Sequence, residues 1–140
     1  MVNSGLYHIT NAKSGTALDQ SGTDEGAIIG WDSHQGDNQK WYIEARGNGR
    51  FTIRNKGSGQ FIGLRTNQLK DDVRAVSVNY QHEWEIRQDD NDDHVWRFYV
   101  PGTPFNLDLT DNGNPRGGTP VAIWGKWQGR NQCWRLQSPS

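Results

Sequence analysis

The stretch Tyr7-His8-Ile9-Thr10-Asn11 opens a unit that recurs as Phe51-Thr52-Ile53-Arg54-Asn55 and as Trp96-Arg97-Phe98-Tyr99-Val100. Apolar and polar residues alternate in these stretches, and this period of two is typical of a half-buried β-strand. The three starting residues lie 44 and 45 positions apart. Self-similarity at a nearly fixed spacing indicates that one supersecondary unit has been repeated along the chain.

Each unit then contains an aliphatic residue and a closing tryptophan. The aliphatic residues eleven positions after each start are Leu18, Ile62 and Leu107, and the tryptophans that close the units are Trp41, Trp84 and Trp134. These large apolar residues are expected in the core. No stretch has a clear helical period, and the short runs are bounded by Gly, Asn, Asp or Pro.

Three all-β units in 140 residues are too few for most propellers and solenoids. The expected fold is therefore an all-β β-trefoil, with three repeats of four strands around a pseudo-threefold axis and three hairpins that close a barrel. We expect one domain over residues 1–140, with repeats at about 5–45, 49–88 and 94–137.

The charge and composition exclude several classes of partner. The net charge is −1 and no basic stripe occurs, so no nucleic-acid partner is expected. No apolar run is long enough for membrane insertion, and no signal peptide precedes Gly5. Cys133 is the only cysteine, and the chain has no Asn-X-Ser/Thr acceptor. These features predict a cytoplasmic protein.

The first and third repeats share three polar or aromatic residues that the second repeat lacks. They are Asp19, Trp31 and Asn38 in the first repeat and Asp108, Trp124 and Asn131 in the third. The second repeat has Gly63 at the aspartate position, with only Asn79 or Tyr80 near the place of the tryptophan.

The chemistry of this trio suits a saccharide. A carboxylate accepts hydrogen bonds from two hydroxyls, an amide both donates and accepts, and an indole offers a flat apolar face to the C–H face of a pyranose. Taken alone, each of these residues is better explained by a structural role, with the aspartates capping turns and the tryptophans packing. Their joint occurrence at equivalent positions predicts two sugar sites.

The stretches Asn38-Gln39-Lys40-Trp41 and Asn131-Gln132-Cys133-Trp134 match the Gln-X-Trp signature of ricin B-type lectins, and His82 replaces the glutamine in the second repeat. Together with Gly5–Asn11 and Gly26–Trp31, these stretches make essentially the whole chain resemble the small cytoplasmic ricin B-like lectins of mushrooms. The resemblance implies a β-trefoil that binds galactose, N-acetylgalactosamine, lactose or N-acetyllactosamine and acts in defence, without a metal or other cofactor.

The resemblance also implies which residues bind the sugar. The first set is Asp19, Gly30, Trp31, His34, Asn38 and Gln39, and the second is Asp108, Trp124, Trp127, Asn131 and Gln132. Gly30 is included because Ile29 occupies a place where a polar contact is sometimes found, and Gln39 is expected to support Asn38 or its loop. His34 and Trp127 are expected to extend the contact to a second sugar. The loop over residues 111–120 either shapes or blocks the second site, so the first is expected to be the stronger.

Other classes of function are open at this point. One alternative is a trefoil protease inhibitor, which would act through one exposed loop. Another is a non-lectin partner protein like the light-subunit-like protein of mushroom tyrosinase. An enzyme is not expected, because the four histidines lack close metal-ligand spacing, the acidic run over residues 89–93 lacks the EF-hand pattern, and Cys133 is expected to pack. The protein is expected to be a monomer or a homodimer that binds glycans or glycoproteins.

Overall fold

The computed structural model describes residues 2–23 and 26–139, and this part of the chain is built from twelve strands. The strands are β1 Gly5–Asn11, β2 Ala17–Gln20, β3 Ile28–Trp31, β4 Lys40–Gly47, β5 Arg50–Asn55, β6 Phe61–Leu64, β7 Val73–Val78, β8 Glu83–Gln88, β9 Trp96–Tyr99, β10 Phe105–Leu109, β11 Thr119–Gly125 and β12 Trp134–Gln137. The other regular segments are the 3₁₀ turns Asp37–Gln39 and Arg130–Gln132 and the turn Thr110–Gly113, in which Asp111 and Asn112 both have a left-handed φ of 53°. None of the described helices has the length and apolar character needed to cross a bilayer.

Six strands form a closed antiparallel barrel. Going round the ring, β1 pairs with β4, β4 with β5, β5 with β8, β8 with β9, β9 with β12, and β12 with β1. Closure leaves no exposed strand edge in the barrel, which protects the protein against edge-to-edge association.

The other six strands form three hairpins, β2–β3, β6–β7 and β10–β11. The hairpins contact one another because β11 pairs with both β3 and β7, and Ala27 bridges to Val76. Three equivalent hairpins on a six-stranded barrel define a β-trefoil, as the repeats predict.

A tryptophan hydrogen bond ties barrel to hairpin in every repeat. The indole Nε1 atoms of Trp41, Trp84 and Trp134 donate to the carbonyl oxygens of Leu18, Ile62 and Leu107 at 2.9, 3.0 and 3.2 Å. All six residues are fully buried. Each tryptophan therefore fills the core and also pairs a backbone carbonyl that would otherwise be buried without a partner.

The second repeat allows this bond to be tested away from the candidate sites. In a Trp84→Phe protein the Ile62 carbonyl loses its donor and the smaller ring leaves unfilled space. We expect the free energy of unfolding to fall by about 2–4 kcal/mol, measured by urea denaturation followed by circular dichroism.

Tyr80→Ala is the matched control, because Tyr80 is an aromatic residue of the same repeat that is 55% exposed. Its effect should stay within about 0.5 kcal/mol. Equal losses in the two variants would show that the buried indole bond contributes nothing specific.

Candidate functional sites

An open hollow of about 130 Å³ lies beside Trp31 in the first repeat. This first hollow is lined by Asp19, Ser21, Gly22, Thr23, Ile29, Trp31, His34 and Asn38. Asp19 lies opposite Ile29 in the β2–β3 register, so Trp31, two residues further on, faces the same side of the hairpin. Trp31 is 45% exposed whereas Asp19 is buried. The indole therefore offers its surface to solvent above a recessed carboxylate.

Two amides hold the Asp19 carboxylate in place. Asn38 Nδ2 donates to Asp19 Oδ1 at 3.2 Å, and Gln39 Nε2 donates to Asp19 Oδ2 at 2.9 Å. A carboxylate offers about four lone-pair positions, so about two remain for ligand hydroxyls. Burial raises the pKa of Asp19, and the bond from Gln39 and the nearby His34 oppose that rise only in part.

His34 is oriented by the turn that follows it. Its Nδ1 accepts a hydrogen bond from the Gly36 backbone N–H at 2.8 Å. Nδ1 therefore carries no proton, and in the neutral ring the proton is on Nε2, which lies 3.9 Å from Asp19 Oδ2. His34 thus presents a donor to the same hollow as the carboxylate.

A second hollow of about 330 Å³ lies at the equivalent place in the third repeat. This second hollow is lined by Asp108, Thr110, Asp111, Asn112, Trp124, Trp127 and Asn131. Asp108 pairs with Ala122 in the β10–β11 register, which brings Trp124 to the same face in the way that Trp31 is placed in the first repeat. The loop over residues 111–120 shapes this hollow and does not block it, since Asp111 and Asn112 form part of its wall.

The carboxylate of the second hollow is held by the same bonds as that of the first. Asn131 Nδ2 donates to Asp108 Oδ1 at 3.1 Å, and Gln132 Nε2 donates to Asp108 Oδ2 at 3.0 Å. Burial raises the pKa of Asp108 to about 6, against the bonds from Gln132 and Asn131, and the charge of Asp71 adds to the rise.

Three of the predicted site residues do not line a hollow. Gln39 and Gln132 are fully buried behind the aspartates, where their Oε1 atoms accept the backbone N–H groups of His34 and Trp127 at 2.8 and 3.1 Å. They position the carboxylate and the loop and are not among the residues that line the hollows. Gly30 faces the opposite side from Ile29 and Trp31, and a Cβ there would lie 2.9 Å from Leu109 Cδ1. Strand alternation therefore places Gly30 away from the first hollow.

Two glycines are further site residues that the sequence reasoning missed. A Cβ at Gly36 would lie 2.8 Å from Asn38 Oδ1, and one at Gly129 would lie 2.5 Å from Asn131 Oδ1. Any side chain at either position would displace the asparagine of that site. The signal was available, because each glycine precedes its asparagine by two residues.

Each hollow is also fixed by an asparagine from a neighbouring repeat. Asn55 Nδ2 donates to the Asn38 carbonyl and Asn11 Nδ2 to the Asn131 carbonyl, both at 2.9 Å. The third repeat has Val100 at this position. Valine has no side-chain donor, so the corresponding loop of the second repeat receives no such bond.

A buried arginine, Arg97, supports the second hollow but not the first. Arg97 Nε donates to Asp89 Oδ1 at 2.7 Å, its Nη1 donates to Gln132 Oε1 at 2.8 Å, and its Nη2 donates to the Trp127 carbonyl at 3.0 Å. Arg97 is 1% exposed, and the Asp89 carboxylate balances its charge. The first repeat has His8 at this position, so the two hollows have different supports beneath similar surfaces.

The second repeat has no comparable carboxylate-and-indole hollow. Gly63 pairs with Val76 in the β6–β7 register, which places Val78, and neither Asn79 nor Tyr80, at the position of the tryptophans. A Cβ at Gly63 would lie 2.7 Å from Val78 Cγ2. An aspartate would therefore not fit there without a shift of Val78.

Reactive groups elsewhere in the described residues do not form a comparable site. Burial raises the pKa of the Cys133 thiol to about 11, so it stays protonated and weakly nucleophilic at neutral pH. In residues 2–23 and 26–139, the only cluster of possible metal ligands is Asp92, Asp93 and His94 on a loop, and none of these lines either hollow. That the protein binds no metal or other cofactor stays a prediction.

Comparisons with known proteins agree with this architecture. A family model described as "Ricin-type beta-trefoil lectin domain-like" matches residues 1–77. The ricin B-like lectin of Macrolepiota procera, solved in complex with lactose, is 38% identical with a TM-score of 0.94, and the match covers 99% of each chain. The Rhizoctonia solani agglutinin is 29% identical with a TM-score of 0.87, and the match covers 99% of this chain and 98% of that one.

A designed protein supports the symmetry of the fold. The threefold symmetric protein ThreeFoil is 23% identical with a TM-score of 0.87, and the match covers 96% of this chain and 99% of that one. No curated protein sequence matches the chain. The matching family model and the 38% identity over the whole length show that the chain belongs to the family of ricin-type β-trefoil lectins.

Proposed function

We propose that the protein is a galactose-type lectin that binds glycans ending in galactose or N-acetylgalactosamine, including lactose and N-acetyllactosamine, through the first and second hollows. The observation that carries this proposal is that the chain builds the same recessed carboxylate twice, held by the same two amides beside an indole. Ricin-type lectins bind carbohydrate and catalyse no reaction, so membership of this family confirms the prediction that the chain is not an enzyme.

The geometry suits a pyranose with an axial hydroxyl. Each aspartate has lone pairs left for two neighbouring hydroxyls after its amide bonds are made. Trp31 or Trp124 offers an apolar face for the C–H groups on the other side of the ring. A galactose-type ring has one continuous C–H face that can lie on such a surface. The similar Macrolepiota procera lectin was solved with lactose, which supports the same sugar class here.

Each hollow is open, so each site should bind weakly. A Kd of about 1 mM corresponds to only about −4.1 kcal/mol, and sugar hydroxyls lose hydrogen bonds to water when they bind. Two sites on one chain, or in a homodimer, raise the avidity for a surface that displays many glycans. We propose that the protein acts in this multivalent way on glycoproteins, in defence.

We further propose that the protein works in the cytoplasm. This rests on the single cysteine, which is buried, and on the absence of Asn-X-Ser/Thr acceptors. The protease-inhibitor and partner-protein alternatives require neither of the paired hollows, and no specific contact favours them.

Removing one carboxylate should remove one site. In an Asp19→Ala protein the sugar loses its charge-assisted hydrogen bonds, and we expect lactose affinity at the first hollow to fall about 10- to 100-fold. Isothermal titration calorimetry gives the affinity and the number of sites, and circular dichroism checks the fold.

Asp37→Ala is the control for this measurement, because Asp37 is an exposed aspartate of the same repeat that lines neither hollow. It should bind lactose as the unchanged protein does. Unaltered affinity and site number in the Asp19→Ala protein would exclude the first hollow as a lactose site.

Binding at the second hollow should depend on pH. The pKa of Asp108 is raised to about 6, so the charge that accepts sugar hydroxyls is present above this pH and is lost as the pH falls through it. In the Asp19→Ala protein we expect lactose affinity near pH 6 to be about half that at slightly alkaline pH, and lower still in acid.

Lactose has no titratable group in this range, so a change of affinity reports on the protein. An affinity that stays constant from slightly alkaline to mildly acidic pH would show that the Asp108 carboxylate does not hold the sugar.

A further inference from the structure

The second hollow has an unusual set of acceptors for hydrogen bonds. Asp111 lines it together with Asp108, whereas the first repeat has Gly22 at the position of Asp111. Asn114 Nδ2 donates to Asp111 Oδ2 at 2.7 Å, which holds this second carboxylate in place. Two carboxylates in one hollow favour a ligand that has hydrogen-bond donors or a positive charge.

A third acceptor in this hollow has no partner in the described residues. Asn131 is 1% exposed and its Oδ1 atom makes no hydrogen bond there, because Nδ2 is the atom that donates, to Asp108 Oδ1 and to the Leu109 carbonyl. A buried acceptor without a donor is costly. The wall of the hollow therefore contains three acceptor side chains, of which Asp108 also interacts with the Trp127 side chain.

The two arginines near the second hollow are paired with carboxylates outside its lining. Arg130 Nη1 donates to Asp92 Oδ2 at 3.1 Å, and Arg97 is paired with Asp89 beneath the loop. Lys13 lies against Gly113, in the turn next to the hollow. No lysine or arginine of the described residues lines the hollow itself.

Two indoles complete the arrangement. Trp124 and Trp127 both line the second hollow, and Trp127 is 49% exposed. The faces of indoles attract cations, and carboxylates beside them add to this attraction. In the first hollow the position of Trp127 is taken by His34, whose Nε2 faces Asp19 as a donor.

We infer that the second hollow prefers saccharides with a free, protonated amino group, such as a hexosamine without its N-acetyl group. The ring lies on Trp124 with its hydroxyls on Asp108, and the ammonium group donates to the carboxylate of Asp111. This inference rests on the proposed function, because the hollow must first accept a sugar ring.

The test compares galactosamine with galactose in the Asp19→Ala protein at neutral pH, by calorimetry. We expect galactosamine to bind the second hollow about fivefold more tightly than galactose, as one partly exposed ion pair can provide. High salt should remove this preference. N-acetylgalactosamine, which has a neutral group at the same carbon, should show no such gain.

Asp111→Asn separates the charge from the shape of the hollow. Asp111 has a φ of 53°, and asparagine tolerates this left-handed conformation as aspartate does. The ratio of galactosamine to galactose affinity should fall from about 5 to near 1. Asp93→Asn, an exposed carboxylate outside the hollow, should leave the ratio at its original value.

Each outcome decides between the two proposals. A ratio near 1 in the Asp19→Ala protein, with both sugars bound, overturns the inference and leaves the proposed function standing. If the second hollow binds neither sugar, both the inference and the proposed second site fail. The indole N–H signal of Trp127 in nuclear magnetic resonance spectra gives the same ratio in the unmodified protein, should the variant fold poorly.

Discussion

The hydrogen bond from a buried tryptophan to the carbonyl of an aliphatic residue underlies both the fold and the candidate sites. In the first repeat this carbonyl belongs to Leu18, and the next residue is Asp19. The donor, Trp41, follows directly after the stretch that contains Asn38 and Gln39. One bond in the core therefore fixes both the strand that bears the carboxylate and the turn that bears its amides. The same spacing places Asp108 next to Leu107 in the third repeat.

The sites differ in what lies beneath this common frame. The first hollow relies on a histidine and on a single carboxylate among its described lining residues, whereas the second has a buried arginine below it and two carboxylates in its wall. Asp89 balances the charge of Arg97, and neutral oxygens accept its remaining hydrogen bonds, so the buried guanidinium is not left unpaired. Burial of Asp108 opposes its ionisation. At neutral pH the third repeat thus holds an ionised Asp108 in its hollow, although burial of this carboxyl group in the folded protein disfavours the charged form.

Much of the fold and part of the sites could be predicted from the sequence, because repeats reveal which residues are equivalent. The three opening strands, together with the aliphatic and tryptophan residues that follow each of them, predicted the trefoil, and the trio of residues identified both carboxylates. The support by Arg97 could not be predicted, since it depends on contacts between strands far apart in the chain. The orientation of Gly30 could have been predicted from the sequence, because side chains alternate along a strand and Gly30 therefore faces away from the side that bears Ile29 and Trp31. The position of Gly36 is visible in the sequence, but its role could not be predicted, because it depends on how closely the Asn38 side chain approaches the glycine in the folded protein.

The bonds from Asn55 and Asn11 have a consequence for how such a protein diversifies. The first hollow depends on an asparagine of the second repeat, and the second hollow on one of the first repeat. Each candidate site is therefore shared between two neighbouring repeats. A single repeat would carry the aspartate, tryptophan and asparagine of a hollow without the asparagine side chain that anchors their turn. A substitution in one repeat can thus loosen the turn of its neighbour, and Val100 stands at the junction where no asparagine side chain anchors the neighbouring turn.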